Sequence, residues 1–204
     1  MRALLFTAAL LAAPLLAQPQ MPTAVPGQPD TTRVAAGTYK VDPAHTQVLW
    51  RVNHLGFSEF DGAFADPTGT LTIDPKNPAA AKVVIDIPIA RIVTTNAELD
   101  KHLLAADFFD VAKFPAARFV STKIVVTGQT ATIAGDLTLK GVTKPVTLAV
   151  RFIGAGPLPI GPPKLNFGFA ATTSIRRSDF GLGYGVPMVS DRVDLTINAA
   201  FEAQ

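Results

Sequence analysis

The sequence predicts an all-β fold, an antiparallel barrel of about eight strands with one short helix near a barrel end. Three observations predict it. Apolar residues recur at every second position in eight runs. The gaps between runs are short and rich in turn-forming residues. Helical spacing occurs in one place only. Short gaps suit antiparallel hairpins, whereas parallel strands would need a crossover helix between each pair.

The chain opens with MRALLFTAALLAAPLLA. Arg2 forms a short positive start, Ala3 to Leu16 is apolar, and Ala17 is a small residue suited to the position before a cut. This layout predicts a signal peptide over 1–17. The apolar stretch is shorter than the ~18 residues of a membrane-spanning helix. Residues 18–37 hold four prolines and no periodic pattern, which predicts a Pro-rich, partly extended linker. The folded domain is expected over 38–204.

Val48, Trp50, Val52 and His54 share one face of the first clear run, with Leu49 as an exception. Thr70–Asp74 is a weaker run. Val83, Ile85, Ile87 and Ile89 alternate cleanly, and Arg118–Val126 is weak again. Ile133, Leu137 and Leu139 follow, with Gly135 as a gap. Val146 to Phe152, Leu165 to Ala171 and Val193 to Phe201 complete the set. Loops are expected at Asp74–Pro78, Thr127–Gln129 and Lys140–Gly141. Residues 154–163 are mostly Gly and Pro and predict no regular element. One helix is expected after Thr95-Asn96-Ala97-Glu98, which has the form of a capping box with Thr95 as the cap. Leu99, Leu103 and Ala106 follow at helical spacing, and Pro115 prevents continuation.

Alternation alone leaves open which face is wet. A soluble barrel points its apolar set inward; an outer-membrane barrel points it at lipid. Two tyrosines and one tryptophan are too few for the aromatic girdles of a membrane barrel, and several runs are too short to span. The soluble barrel is the expected form.

Composition excludes several functions. Hydrophobic residues make up 48% of the 204, enough for a sizeable core. Lys+Arg 18 against Asp+Glu 16 leaves +2 without a basic run, so no nucleic-acid partner is expected. The absence of cysteine excludes disulfides, thiol catalysis and Cys-ligated zinc or iron–sulfur centres. No serine-hydrolase elbow, zinc-protease motif or phosphate loop occurs. No catalytic residue, metal site or resident cofactor is therefore expected.

Two local groups have double readings. Arg176-Arg177-Ser178-Asp179 suits either an anion fork or a turn bonded to its own backbone. His45, His54 and His102 lack the close spacing of a local metal site. His54, at the end of an apolar strand face, and His102, on the helix, would offer polar contacts at the mouth of an apolar cavity. Phe57, Phe60, Phe108, Phe109 and Phe180 fall in loops or beside the helix. They are expected to close the barrel end or to line a ligand entrance.

The chain resembles the YceI-like family of bacterial lipid-binding barrels from about Gly37 to Ala203. The resemblance is carried by Tyr39-x-Val41-Asp42-Pro43-x-His45-Thr46, Val52-x-His54-Leu55-Gly56 and Gly62-x-Phe64. It continues in Asp100-x-His102-Leu103, Asp107-Phe108-Phe109-Asp110-Val111 and Phe114-Pro115. Phe119-x-Ser121-Thr122, Gly135 to Val146 and Arg177-Ser178-Asp179-Phe180-Gly181 complete it. It implies an extended, eight-stranded, lipocalin-like barrel that is secreted to the periplasm. The barrel would hold an isoprenoid or other long-chain lipid without chemistry, such as an isoprenoid quinone or polyprenol. Dimers are known in the family, so a homodimer is a further partner it allows. Leu99, Leu104 and Lys140 stand where the family often has Arg, a basic residue and His. Those departures imply a neutral or less charged head group.

The expected lipid-binding residues are Val48, Trp50, Val52, His54, Phe57, Phe64, His102, Leu103, Phe108, Phe119, Leu137, Phe169 and Phe180. The expected function is a periplasmic carrier. The alternatives are a cavity enzyme using His54 with an acidic partner, and an outer-membrane barrel. The signal layout predicts a mature protein that begins near Gln18 and fractionates with the periplasm. N-terminal sequencing checks this; secreted material that still begins at Met1 in the membrane pellet contradicts it.

Overall fold

A computed structural model describes residues 23–159 and 163–203. The predicted leader, 1–17, lies outside the described residues, as does the start of the predicted linker. The described strands are β1 (Gly37–Val41), β2 (Gln47–His54), β3 (Ser58–Phe64), β4 (Thr68–Ile73), β5 (Lys82–Pro88) and β6 (Ile92–Val93). After helix α1 (Ala97–Leu104) come β7 (Ala116–Thr127), β8 (Thr130–Leu139), β9 (Val142–Pro157), β10 (Leu165–Arg176) and β11 (Arg192–Ala203).

These eleven segments make eight staves. β11 pairs with β1 through its last residues and with β2 through its first, so β1 and β2 form one interrupted strand. β3–β4 and β5–β6 are interrupted in the same way. The β1–β11 pairing closes an eight-stranded antiparallel barrel. Each of the eight predicted runs falls on a different stave.

The apolar face points inward. Charged cross-strand partners point outward: Arg51 meets Asp61 at 2.6 Å and Arg118 meets Asp86 at 2.6 Å, each pair directly opposed in the ladder. Arg51 holds the Asp61 carboxyl below the usual carboxylate range, mainly through its hydrogen bond. Exposed pairs of this kind contribute little stability, but opposed charges fix register. A membrane barrel would carry the opposite arrangement.

Two bulges interrupt the alternation, and the first explains the weak run at Arg118–Val126. On β7 the register skips Thr122, so the inward set shifts from Ala117 and Phe119 to Ile124. On β9 it skips Ile153, and the strand continues through the Gly- and Pro-rich stretch to Pro157. Glycine is required there because the N-terminal segment crosses this strand. A Cβ on Gly156 would stand 2.1 Å from the Pro26 carbonyl oxygen. The segment is fixed by a β-bridge from Gln28 to Ala155 and by Gln129, whose amide donates to the Pro29 carbonyl at 2.6 Å. Val34 then buries in the core. The end of the predicted linker is thus a strap across the barrel.

α1 lies at the other end of the barrel, reached by the β2–β3, β8–β9 and β10–β11 turns. Its cap is Asn96, not Thr95. The Asn96 Oδ1 accepts from the amides of Glu98 and Leu99, while Thr94 bonds to Asp100. Leu103 packs with Ile92, Phe109, Phe180 and Leu182 into a core that closes this end.

Arg177 holds the closing loop. It is 4% exposed. Its guanidinium donates to the carbonyls of Leu182, Tyr184, Val189 and Ser190, and its charge lies 5.9 Å over the Phe108 ring. Burial pushes the pKa of this guanidinium down from its usual high value. Ser178 bonds to Asp191. The four-residue group is therefore a turn bonded to its own loop. Hydrogen bonds from a charged donor contribute about 1.5–3 kcal/mol each, with strong overlap among neighbours. Arg177→Met is expected to lower unfolding stability by about 3 kcal/mol, read from the urea midpoint. A change within about 0.5 kcal/mol, the size of an ordinary surface substitution, would contradict the anchoring role.

Candidate functional site

Between the helix-end core and the strap lies a cavity of about 370 Å³. Inward residues of β4, β5 and β7 to β11 face it, together with Val48 of β2. Ile85 and Ile87 of β5, Leu148 and Val150 of β9, and Ile197 and Ala199 of β11 form much of its wall. Ala131, Ala171 and Ala199 supply small side chains where larger ones would fill the lumen. Its upper limit is shared with the helix-end core through Ile85, Phe119, Leu137 and Leu148. At the far end the rim is made by the 74–81 loop, the Thr127–Thr130 turn and the strap. The strap contributes Thr31, Thr32 and Val34.

The chemistry of the wall is uniform. Among the described residues no charged side chain and no histidine lines the cavity. Its polar members are Thr31, Thr32, Thr46, Gln129, Thr130 and Thr173. Several of these are already engaged. Thr46 donates to Ala200, Gln129 to Pro29, Thr130 to Thr127 and Thr173 to Thr147. Such a wall binds apolar surface and offers a few neutral hydrogen-bonding groups. Among the described residues it holds no group that exchanges a proton near neutral pH. Among the described residues no three acidic or histidine side chains cluster as a metal site.

The predicted lipid-binding residues separate into three places. Val48, Phe119, Leu137 and Phe169 line the cavity. Trp50, Phe64, Leu103, Phe108 and Phe180 belong to the core that closes the helix end. Val52, His54, Phe57 and His102 belong to neither group. Val52 lies opposite Phe60 on the inner face of β2. His54 is exposed and forms a bridge with Val189, and Phe57, 89% exposed, projects from the β2–β3 turn. His102 lies 3.9 Å from Asp107 and clusters with the Phe108 and Tyr184 rings, which also touch each other. Both histidines are thus at the helix end, and the rim is at the opposite one.

Sequence reasoning did not single out the wall residues of β5, β9 and β11, although their alternation was visible. The strap residues had a weaker signal. Asp30 accepts from the Thr32 amide and hydroxyl, a capping arrangement inside a segment without periodicity.

Comparison with known proteins places this architecture. The YceI-like domain family model matches residues 39–201. Protein YceI of Escherichia coli is 45% identical over 165 residues, covering 80% of this chain and 85% of its own. BcnA of Burkholderia cenocepacia superposes with a TM-score of 0.70 at 25% identity, covering 78% of this chain and 98% of its own. A polyisoprenoid binding domain from Saccharophagus degradans, implicated in plant cell wall breakdown, shares the fold. Its TM-score is 0.60 at 14% identity, over 81% of this chain and 98% of that one. A closed eight-stranded barrel with an apolar lumen, matched across most of its length by the family model and by a close relative, makes this chain a member of the YceI-like family.

Proposed function

We propose that the chain is a periplasmic carrier or reservoir for an isoprenoid or similar long-chain lipid, held tail-first or head-first in the barrel. The observation that carries this reading is the cavity wall, which is apolar and, among the described residues, free of charge. The polyisoprenoid-binding neighbour supports the same ligand class. The layout of residues 1–17 supports export.

Magnitudes agree with a site that needs little polar recognition. Burying each CH₂ contributes about 0.8 kcal/mol, so a five-carbon isoprene unit contributes on the order of 3–4. Two or three units therefore approach micromolar affinity after ordering is subtracted. An acid–base enzyme working through His54 has no such support, because that imidazole stands away from the cavity.

Filling the lumen tests the reading. Ala171 lines the cavity near the middle of β10. Overpacking a filled core costs about 1–3 kcal/mol, whereas a side chain entering empty space costs less. Ala171→Trp is expected to weaken isoprenoid binding by about tenfold or more while unfolding stability changes by under ~1 kcal/mol. Paired titrations and melting curves check this. Unchanged binding in a folded variant would contradict the cavity as the ligand site.

A further inference from the structure

The polar groups of the cavity are unevenly placed. Thr46 and Thr173 lie within the wall and are spent on the protein itself. The Thr46 hydroxyl donates to the Ala200 carbonyl and accepts from the Ala200 amide, and Thr173 donates to the Thr147 carbonyl. The other four, Thr31, Thr32, Gln129 and Thr130, are exposed at the rim, on the strap and on the turn beside it. The Gln129 amide nitrogen is spent on Pro29, but its side-chain oxygen has no partner among the described residues, and neither has the Thr31 hydroxyl. The Thr32 and Thr130 hydroxyls each donate within the protein and keep lone pairs that can accept.

The opposite limit of the cavity is apolar. Ile87, Phe119 and Leu137 line it, whereas Ile89, Ala117 and Leu139, the next inward residues toward the helix end, belong to the packed core alone. A lipid head pushed to that level would lose its water without gaining a partner, which weakens binding by about tenfold or more. At the rim the same head keeps water and meets hydrogen-bonding side chains. The strap's own charges, Asp30 and Arg33, stand 3.8 Å apart and offset each other, so the rim favours no net charge on the head.

We propose that the strap, with the Thr127–Thr130 turn, forms the head-group subsite: the lipid lies with its tail toward the helix end and an uncharged, hydroxyl-bearing head at Thr31 and Gln129. The inference rests on the lipid-binding reading and adds the direction of the ligand and the class of its head. The Thr31 hydroxyl can donate or accept, and the Gln129 side-chain oxygen only accepts. A hydroxyl head can serve either group, whereas a carbonyl head serves only the first. The strap also precedes residue 39, where the match to the family model begins, so its share of the subsite lies outside the family domain.

Geranylgeraniol carries a hydroxymethyl group at one end and two methyl groups at the other. From Thr130 at the rim to Leu137 above the core, β8 runs about 23 Å at ~3.3 Å per residue, so nuclear Overhauser contacts with the isotope-labelled protein tell the two ends apart. The hydroxymethyl protons are expected to contact the Thr31 or Thr130 methyl groups, and the terminal methyls to contact Leu137 or Phe119. Geranylgeraniol is expected to bind about threefold more tightly than geranylgeranial, whose carbonyl only accepts. Thr31→Lys adds a cation at an exposed rim position. It is expected to raise affinity for geranylgeranyl phosphate about threefold, to leave geranylgeraniol within about twofold, and to lose the gain in ~1 M salt. Ser58→Lys adds the same charge at the helix end and is expected to change neither lipid. Hydroxymethyl contacts at Leu137, a phosphate gain in Ser58→Lys but not in Thr31→Lys, or no gain in either overturns the direction, and equal binding of alcohol and aldehyde overturns the hydroxyl head. In each case the lipid-binding reading stands. Failure of geranylgeraniol to bind the unsubstituted protein overturns both.

Discussion

Closing eight antiparallel strands into a ring leaves no sheet edge and gives every strand one inner and one outer face. In this protein the closure depends on β11, whose one edge carries β2 along its first half and β1 along its last residues. From that point each alternate residue is committed to the lumen. The period-two pattern of the sequence becomes a wall of Val, Ile, Leu and Phe, and the intervening residues become an outer surface of opposed charges. A barrel of this size has a lumen that side chains can just fill. Alanines at 131, 171 and 199 leave part of it unfilled, and the cavity is the consequence.

The two ends are closed by different physics. At the helix end, Leu103, Phe109, Phe180 and Leu182 pack as a core, and the loop that carries two of them is tied to a buried arginine through main-chain carbonyls. That closure is extensive and rigid. The opposite end is crossed by a short strap held, among the described residues, by one β-bridge, by hydrogen bonds from the Gln129 amide and the Tyr39 hydroxyl, and by the burial of Val34. Val34 packs there with Tyr39, Phe152, Phe167 and Phe201, beside a rim to which the cavity extends. The cavity is thus continued to the barrel's surface at the strap end, between the 74–81 loop and the Thr127–Thr130 turn.

Much of this was legible from residues alone. Alternation located one segment on each stave, and Leu99 and Leu103 marked the buried face of the helix. The weak run at Arg118–Val126 was weak for a physical reason. The bulge at Thr122 inverts the phase in mid-strand, which no strict period can follow. Residues 154–157 looked like a loop because glycine and proline are poor strand formers, yet the strand persists where the strap needs a close backbone approach. The cap fell one residue beyond Thr95 because the amide oxygen of Asn96 reaches two helix amides from that position. The site was harder to read. Apolar position on a strand does not tell a cavity wall from a packed core, and Trp50, Phe64 and Phe180 fell on the core side. His54 and His102 were selected for their polarity at a barrel end, but alternation carries no information about which end is open.

The most direct measurement of the central claim is mass spectrometry of an organic extract from protein purified under native conditions. A lumen of this size whose described wall carries no charge predicts about one long-chain, neutral lipid per folded chain, released by solvent and absent from the Ala171→Trp protein. An extract without lipid, from protein that also fails to take up added isoprenoids, would contradict the account.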